Sequence, residues 1–179
     1  MVATIAATPT NVSNFAAVPQ KPNNPQFVGP KIHMIADTVE LAAGDDSGDI
    51  IPMAWVHRSW AIHDVLVTCD AVNSGSDNDL GLYSEAGDGF DLTNLNAADT
   101  SGDHDVYGAS HDLSSAIAVP TSIFGRDPAL CAQQVWADAG AADEASAKEW
   151  YLLALTCNFE IAAADTVSWQ VHYSMPGGA

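Results

Sequence analysis

The run Thr166-Val167-Ser168-Trp169-Gln170-Val171-His172-Tyr173 decides the fold class. Val167, Trp169, Val171 and Tyr173 alternate with Thr166, Ser168, Gln170 and His172. A period of two puts the first set on one face of an extended chain and the second on the other, so one face is buried and one is wet. Upstream, Trp150 to Asn158 reads as a further strand, joined to the first by the connector Ala162-Ala163-Ala164-Asp165. Met175 to Ala179 reads as a tail.

The same grammar runs back through the chain. A strand starts at Lys31-Ile32-His33-Met34-Ile35 and runs towards Val39-Glu40-Leu41, and Gly44 to Asp49 is a turn by composition. Ile50 to Val56 is a short strand that Pro52 moves towards a sheet edge. Ala61 to Cys69 is rich in β-branched and apolar residues and reads as a well-buried strand. Asp79 to Tyr83 is a short strand after the loop Asn73–Asn78. Ser84 to His111 is rich in Gly, Asp and Asn with few apolar anchors, and reads as containing a large surface loop. One helix of about three turns is expected, with Asp127 as cap, Pro128 at its first position and Gly140 at its end. Leu130, Cys131, Gln134, Val135 and Ala139 form its face. Short strands separated by loops, without β-α-β spacing, predict an all-β antiparallel sandwich or barrel.

Charge divides the chain. It has 179 residues, with five Lys and Arg against 23 Asp and Glu, 18 of them Asp, for a net −18. Residues 1–31 hold Lys21 and Lys31 and no acid, which sums to +2; residues 32–179 hold Arg58, Arg126, Lys148 and all 23 acids, which sums to −20. Such a body is a poor partner for nucleic acid or for an anionic membrane, because both demand Lys and Arg. No apolar run reaches the about 18 residues of a membrane span, and Met1-Val2-Ala3-Thr4 opens no basic and apolar secretory signal. Residues 1–31 also carry five of the nine prolines, which leave neither helix nor central strand. They read as an extended arm with a reach of about 100 Å. Two readings of the arm stand: a frayed tail, or a segment that orders against a neighbouring subunit through Phe15, Phe27 and nearby valines, with Lys21 and Lys31 against acids. Residues 32–179 form the β-sandwich domain.

The search for chemistry returns little. The histidines 33, 57, 63, 104, 111 and 172 contain no H-E-x-x-H, and His57 and His63 lie about 20 Å apart along a continuous strand. There is no G-x-S-x-G elbow, and the row Ser110-His111-Asp112 carries no triad information because triads are built in space. No phosphate loop is present. Asp-rich windows at 45–49, 77–79 and 99–105 match no EF-hand spacing; they read as solvated acidic turns. Cys69, Cys131 and Cys157 include no C-x-x-C, which argues against zinc or a disulfide framework. They read as buried free thiols, unless the echoing segments at Cys69 and Cys157 are neighbours and form a bridge. Paired carboxylates for glycoside hydrolysis cannot be sorted among 23 acids. Neither catalytic residues nor a cofactor nor a metal is expected.

The order of pieces carries a resemblance. Ile35–Asp45 leads to an apolar strand, followed by Ile62–Asp70, then Asn78-Asp79-Leu80-Gly81-Leu82-Tyr83 with its D-x-G-x-Y pattern. Asp112–Ala116, Val135–Gly140, Trp150–Thr156 and Ala163–Tyr173 complete it, the last with the pattern A-x-T-V-x-x-x-V-x-Y. Over residues 35–173 the chain resembles the decoration or cement proteins of tailed bacteriophages, small structural proteins encoded beside the major coat protein. The resemblance implies an antiparallel jelly-roll-like β-sandwich with one short helix and an extended N-terminal arm. It also implies a non-enzymatic role on the capsid exterior of a virion assembled in the host cytoplasm. The implied partners are the major capsid protein and the chain itself, as a dimer or trimer. A carbohydrate-binding or fibre-like adhesin module on the same sandwich is the alternative, with Trp55 or Trp60 exposed beside loop acids.

Overall fold

The computed structural model describes residues 31–41, 50–72, 78–85, 95–97, 105–127, 130, 132–156 and 165–175. Nine strands are described: β1 Ile32–Leu41, β2 Ile50–His57, β3 Ala61–Cys69, β4 Asn78–Glu85, β5 Leu95–Ala97, β6 Gly108–His111, β7 Ile117–Ser122, β8 Trp150–Thr156 and β9 Asp165–Ser174. One helical turn, α1, spans Val135–Asp138.

Pairing is nested. The first strand pairs the last (β1 with β9), the second pairs β8, the third pairs β7, and β4 pairs both β5 and β6 along one edge. Two further antiparallel ladders, β3–β9 and β4–β8, close the two halves. The outcome is a four-stranded sheet in the order β1-β9-β3-β7 and a five-stranded sheet in the order β2-β8-β4-β5, with β6 beside β4. This is an antiparallel jelly roll, an all-β double-sheet fold.

The alternation in β9 is realised: Val167, Trp169, Val171 and Tyr173 are buried, while their neighbours Thr166, Ser168, Gln170 and His172 are half-buried on the opposite face. β8 differs because both its faces are covered. Leu153 and Leu155 join the main core between the sheets, and Leu152 and Ala154 form a second cluster with Tyr83, against which Ile50 and Trp55 pack. Each fully buried Leu or Val contributes about 1.5–3 kcal/mol.

Bulges reset the inward face of two strands. In β2, Ile51 is buried before the register shift between Pro52 and Ala54, Met53 is buried at the shift, and Ala54 and Val56 are buried after it. In β3 the shift lies between Ile62 and Asp64, after which Val65, Val67 and Cys69 point inward. An extra residue flips the phase of every later side chain. As Pro52 predicts, β2 is an edge strand.

One expectation is corrected. The three-turn helix from Asp127 to Gly140 is a single turn at the end of that span: Gln134 is extended (φ −79°, ψ 150°), and Val135 and Trp136 donate their amides to the carbonyls of Trp60 and Arg58. Those tertiary bonds take the first amides of the turn, and Pro128 and Cys131 lie outside the described residues. Within Ser84–His111, read as containing a large surface loop, the described residues supply β5 and β6 as partners of β4, while 86–94 and 98–104 lie outside the described residues. The turn at Arg58–Trp60 ends β2 and sends β3 to the other sheet, so His57 and His63 belong to different sheets. Cys69 is a buried free thiol whose pKa burial pushes up, while Cys131 and Cys157 lie outside the described residues.

Candidate interaction surface

The strand that follows the arm lies at a sheet edge. β1 pairs β9 through ten consecutive residues without a bulge, from Ile32 opposite Ser174 to Leu41 opposite Asp165. Its even-numbered residues face outward beside the polar outer row of β9; Thr38 and Ser168 share a hydroxyl hydrogen bond of 2.9 Å there. Towards the arm the outward row turns apolar: Ile32 and Met34 are each 58% exposed. Lys31, expected to contact a partner's acids, is exposed immediately before them. Phe15, Lys21 and Phe27, the other arm residues singled out in the sequence, lie outside the described residues. So do the Asp-rich windows at 45–49 and 99–103.

An aromatic stack closes this end of the sandwich. Trp60, in the β2–β3 turn, lies face to face on Tyr173 of β9 with ring centroids 4.3 Å apart, and His33 of β1 stacks on Tyr173 at 5.5 Å. Trp150 of β8 meets Trp60 edge-on at 5.8 Å, and His57 of β2 meets Trp150 at 5.1 Å. Residues of both sheets thus meet in one cluster, held by stacked and edge-on ring contacts, of which aromatic quadrupoles favour the edge-on ones. His57 Nδ1 bonds Ser59 Oγ at 2.7 Å, which fixes the turn that places Trp60.

This arrangement weighs on the sugar-binding alternative. Trp60 spends one ring face on Tyr173, and Trp55 is half-buried against the Leu152–Ala154 cluster. Neither offers the free, exposed platform that the alternative needs.

The connectors are joined by a buried ion pair. Arg126, after β7, meets the Asp138 carboxylate of α1 with two guanidinium nitrogens, and the Tyr107 hydroxyl donates to the same carboxylate at 2.8 Å. Both charged side chains are buried. Arg126 also lies 5.7 Å above the Tyr107 ring, which stacks on Phe124 at 5.1 Å. Burial pushes the Asp138 carboxyl up against the opposing pull of Arg126 and Tyr107, and burial pushes the Tyr107 phenol well up. Tyr107 donates its amide to Leu80 of β4, and Ile123 donates to Val65 of β3, so the cluster ties to both sheets. Its role is to hold three connectors in register. No motif marks Arg126 for this role; the signal in the sequence is that it is one of three bases against 23 acids in residues 32–179.

The Ser110-His111-Asp112 row is engaged with residues outside it. Asp112 accepts from the Ser114 amide at 2.9 Å, and the Ser110 amide donates to Asp79 at 3.0 Å. His111 Nε2 is buried without a hydrogen-bond partner, and burial lowers its pKa against the pull of Asp79. Among the described residues, no cluster of three His, Cys, Asp or Glu could hold a metal, and no helix is long and apolar enough to cross a membrane.

No family model matches the chain, and no curated protein matches it. Solved structures do. A chain of the cyanophage Pam1 capsid asymmetric unit aligns at 12% identity and a TM-score of 0.48 over 96% of this chain and 100% of that one. A chain of the capsid of Ralstonia phage GP4 aligns at 12% identity with a TM-score of 0.56, covering 83% of this chain and 86% of that one. That second likeness is one of fold: the jelly roll built here by nested pairing is shared, nearly end to end, with a chain found in a phage capsid.

Proposed function

We propose that this chain is a non-enzymatic structural protein of a virion that binds and stabilises the capsid shell from outside, as a decoration or cement protein. The observation that carries the reading is the fold shared over 83% of the chain with a chain of the Ralstonia phage GP4 capsid. Jelly rolls also serve lectins, so the fold alone does not decide between them. Occupied Trp60 and half-buried Trp55 lend the carbohydrate-binding alternative less support.

In this reading the major capsid protein is the partner. The sandwich seats on the shell, and residues 1–31 run over a neighbouring subunit with Phe15 and Phe27 in apolar grooves and Lys21 and Lys31 against acids. Ordering such an arm costs entropy, so it must bury considerable area, and many copies on one shell add avidity. The strongly acidic body keeps decorated particles apart.

The test is a binding isotherm on purified shells of the same virus, with the full chain and with residues 1–30 deleted. Saturable binding that weakens at least about tenfold on deletion, a loss of about 1.4 kcal/mol, fits the reading. Equal binding by both forms removes the arm from it.

A further inference from the structure

We propose that the first half of β1 is a homodimer surface: Ile32–Ala36 pairs antiparallel with the same strand of a second copy, about a two-fold axis at Met34.

The argument begins with the sheet edges. An open edge presents unpaired amides and carbonyls, and folded proteins blunt it with Pro, bulges, charge or shortness. β7 carries Pro120 and a register shift, β2 carries Pro52 and a register shift, and β5 and β6 are three and four residues long. β1 is ten residues long, has neither Pro nor bulge, and is paired on one side only among the described residues. Its charged positions, Asp37 and Glu40, lie in its second half. The first half is uncharged and shows Ile32 and Met34 to solvent. An edge in that state is a template for strand addition.

Symmetry and charge select the occupant. A two-fold axis normal to the sheet keeps each face on its own side, so directly opposed residues must share parity. With the axis at Met34, Met34 faces its own copy and Ile32 faces the partner's Ala36. Lys31 then faces the partner's Asp37. Lys31 directly precedes β1, and the two symmetric ion pairs close both ends of the apolar stretch. Two bodies of −20 repel each other, so a cation placed against an acid at the seam matters. The pairing would continue the four-stranded sheet through the axis into the second copy.

The inference stands apart from shell binding, since it is read with no shell present. The experiment is sedimentation velocity on the full chain over a concentration series at about 0.15 M salt, where the Debye length is about 8 Å. The wild type is expected to be a dimer. Met34→Lys, which sets two lysines against each other at an exposed site, is expected to weaken it about tenfold or more. Val119→Lys, equally apolar and 71% exposed on the opposite edge strand β7, leaves the dimer intact. Lys31→Asp and Asp37→Lys each weaken it, and the double exchange restores it. Under mild oxidation Met34→Cys forms a covalent dimer and Ala36→Cys does not, because only position 34 meets itself. A monomer or closed trimer in the wild type overturns the proposal, as does a Met34→Lys protein as dimeric as the wild type. So does an exchange that fails to rescue, or a dimer lost on deletion of residues 1–30 but retained in Met34→Lys.

Discussion

The indole Nε1–H of Trp169 donates to the main-chain carbonyl of Met53 at 2.9 Å, across the core from β9 to β2. Met53 is the residue skipped in the β2–β8 register, so the bulge brings a buried carbonyl to the indole. The bond ties the two sheets to each other inside the core. Trp169→Phe keeps most of the ring volume and leaves that carbonyl unpaired, which costs about 1–3 kcal/mol. Urea unfolding measures it; an unchanged midpoint contradicts the role given to this bond.

The Arg126–Asp138 pair predicts an asymmetry. Removing the cation alone strands a buried carboxylate, at a cost of about 3–5 kcal/mol for Arg126→Met. Replacing both partners, in Arg126→Met with Asp138→Leu, removes the charge that was stranded and costs less than the single change. Equal losses in the single and double variants, measured by chemical denaturation, run against a coupled buried pair.

His111 makes stability depend on pH. Its folded pKa lies below the ordinary value because burial disfavours the charged ring, so the folded state prefers neutral imidazole. The unfolded state binds the proton more readily. The contribution of His111 is therefore complete above about pH 6.5 and is lost as pH falls through the lowered folded value. Asp112 and Asp143, held low by hydrogen bonds from Ser114 and Ser146, act in the same direction at more acidic pH. Melting temperature followed from pH 7 to pH 5 is expected to fall more steeply for the wild type than for His111→Gln; parallel curves contradict the assignment.

Gly108 is required by space. A β-carbon there would stand 2.4 Å from His111 Nε2 and 2.8 Å from the carbonyl of Ile123, at a φ of +158°. Gly108→Ala is expected to lower stability by about 1–3 kcal/mol as the β6 turn is forced open. Thermal unfolding reads this directly, and a neutral substitution contradicts the close approach.

The residues that made the fold legible are those whose environment is set by the strand itself. β9 announced its two faces, Trp150–Asn158 announced a strand, and Pro52 marked an edge. β5 and β6 were hidden because short polar segments become strands only when β4 offers its edge. The helix expected from Asp127 to Gly140 is a single turn because the amides of Val135 and Trp136 bond the β2–β3 turn, a tertiary event with no local signature. The phase flips at Met53 and His63 were equally silent, since a bulge is one extra residue in an otherwise ordinary strand. At the candidate surface, Lys31 was legible as one of two cations that precede an acidic body. Exposure of Ile32 and Met34 was not, because β1 carries apolar residues on both faces and sequence does not say which is covered.

Shell attachment is the central claim, and co-sedimentation of the full chain with purified shells of the same virus tests it most directly. The account predicts saturable binding at a fixed number of copies per shell, together with a higher temperature of shell disruption. Failure to co-sediment, or binding that leaves the heat resistance of the shell unchanged, would contradict it.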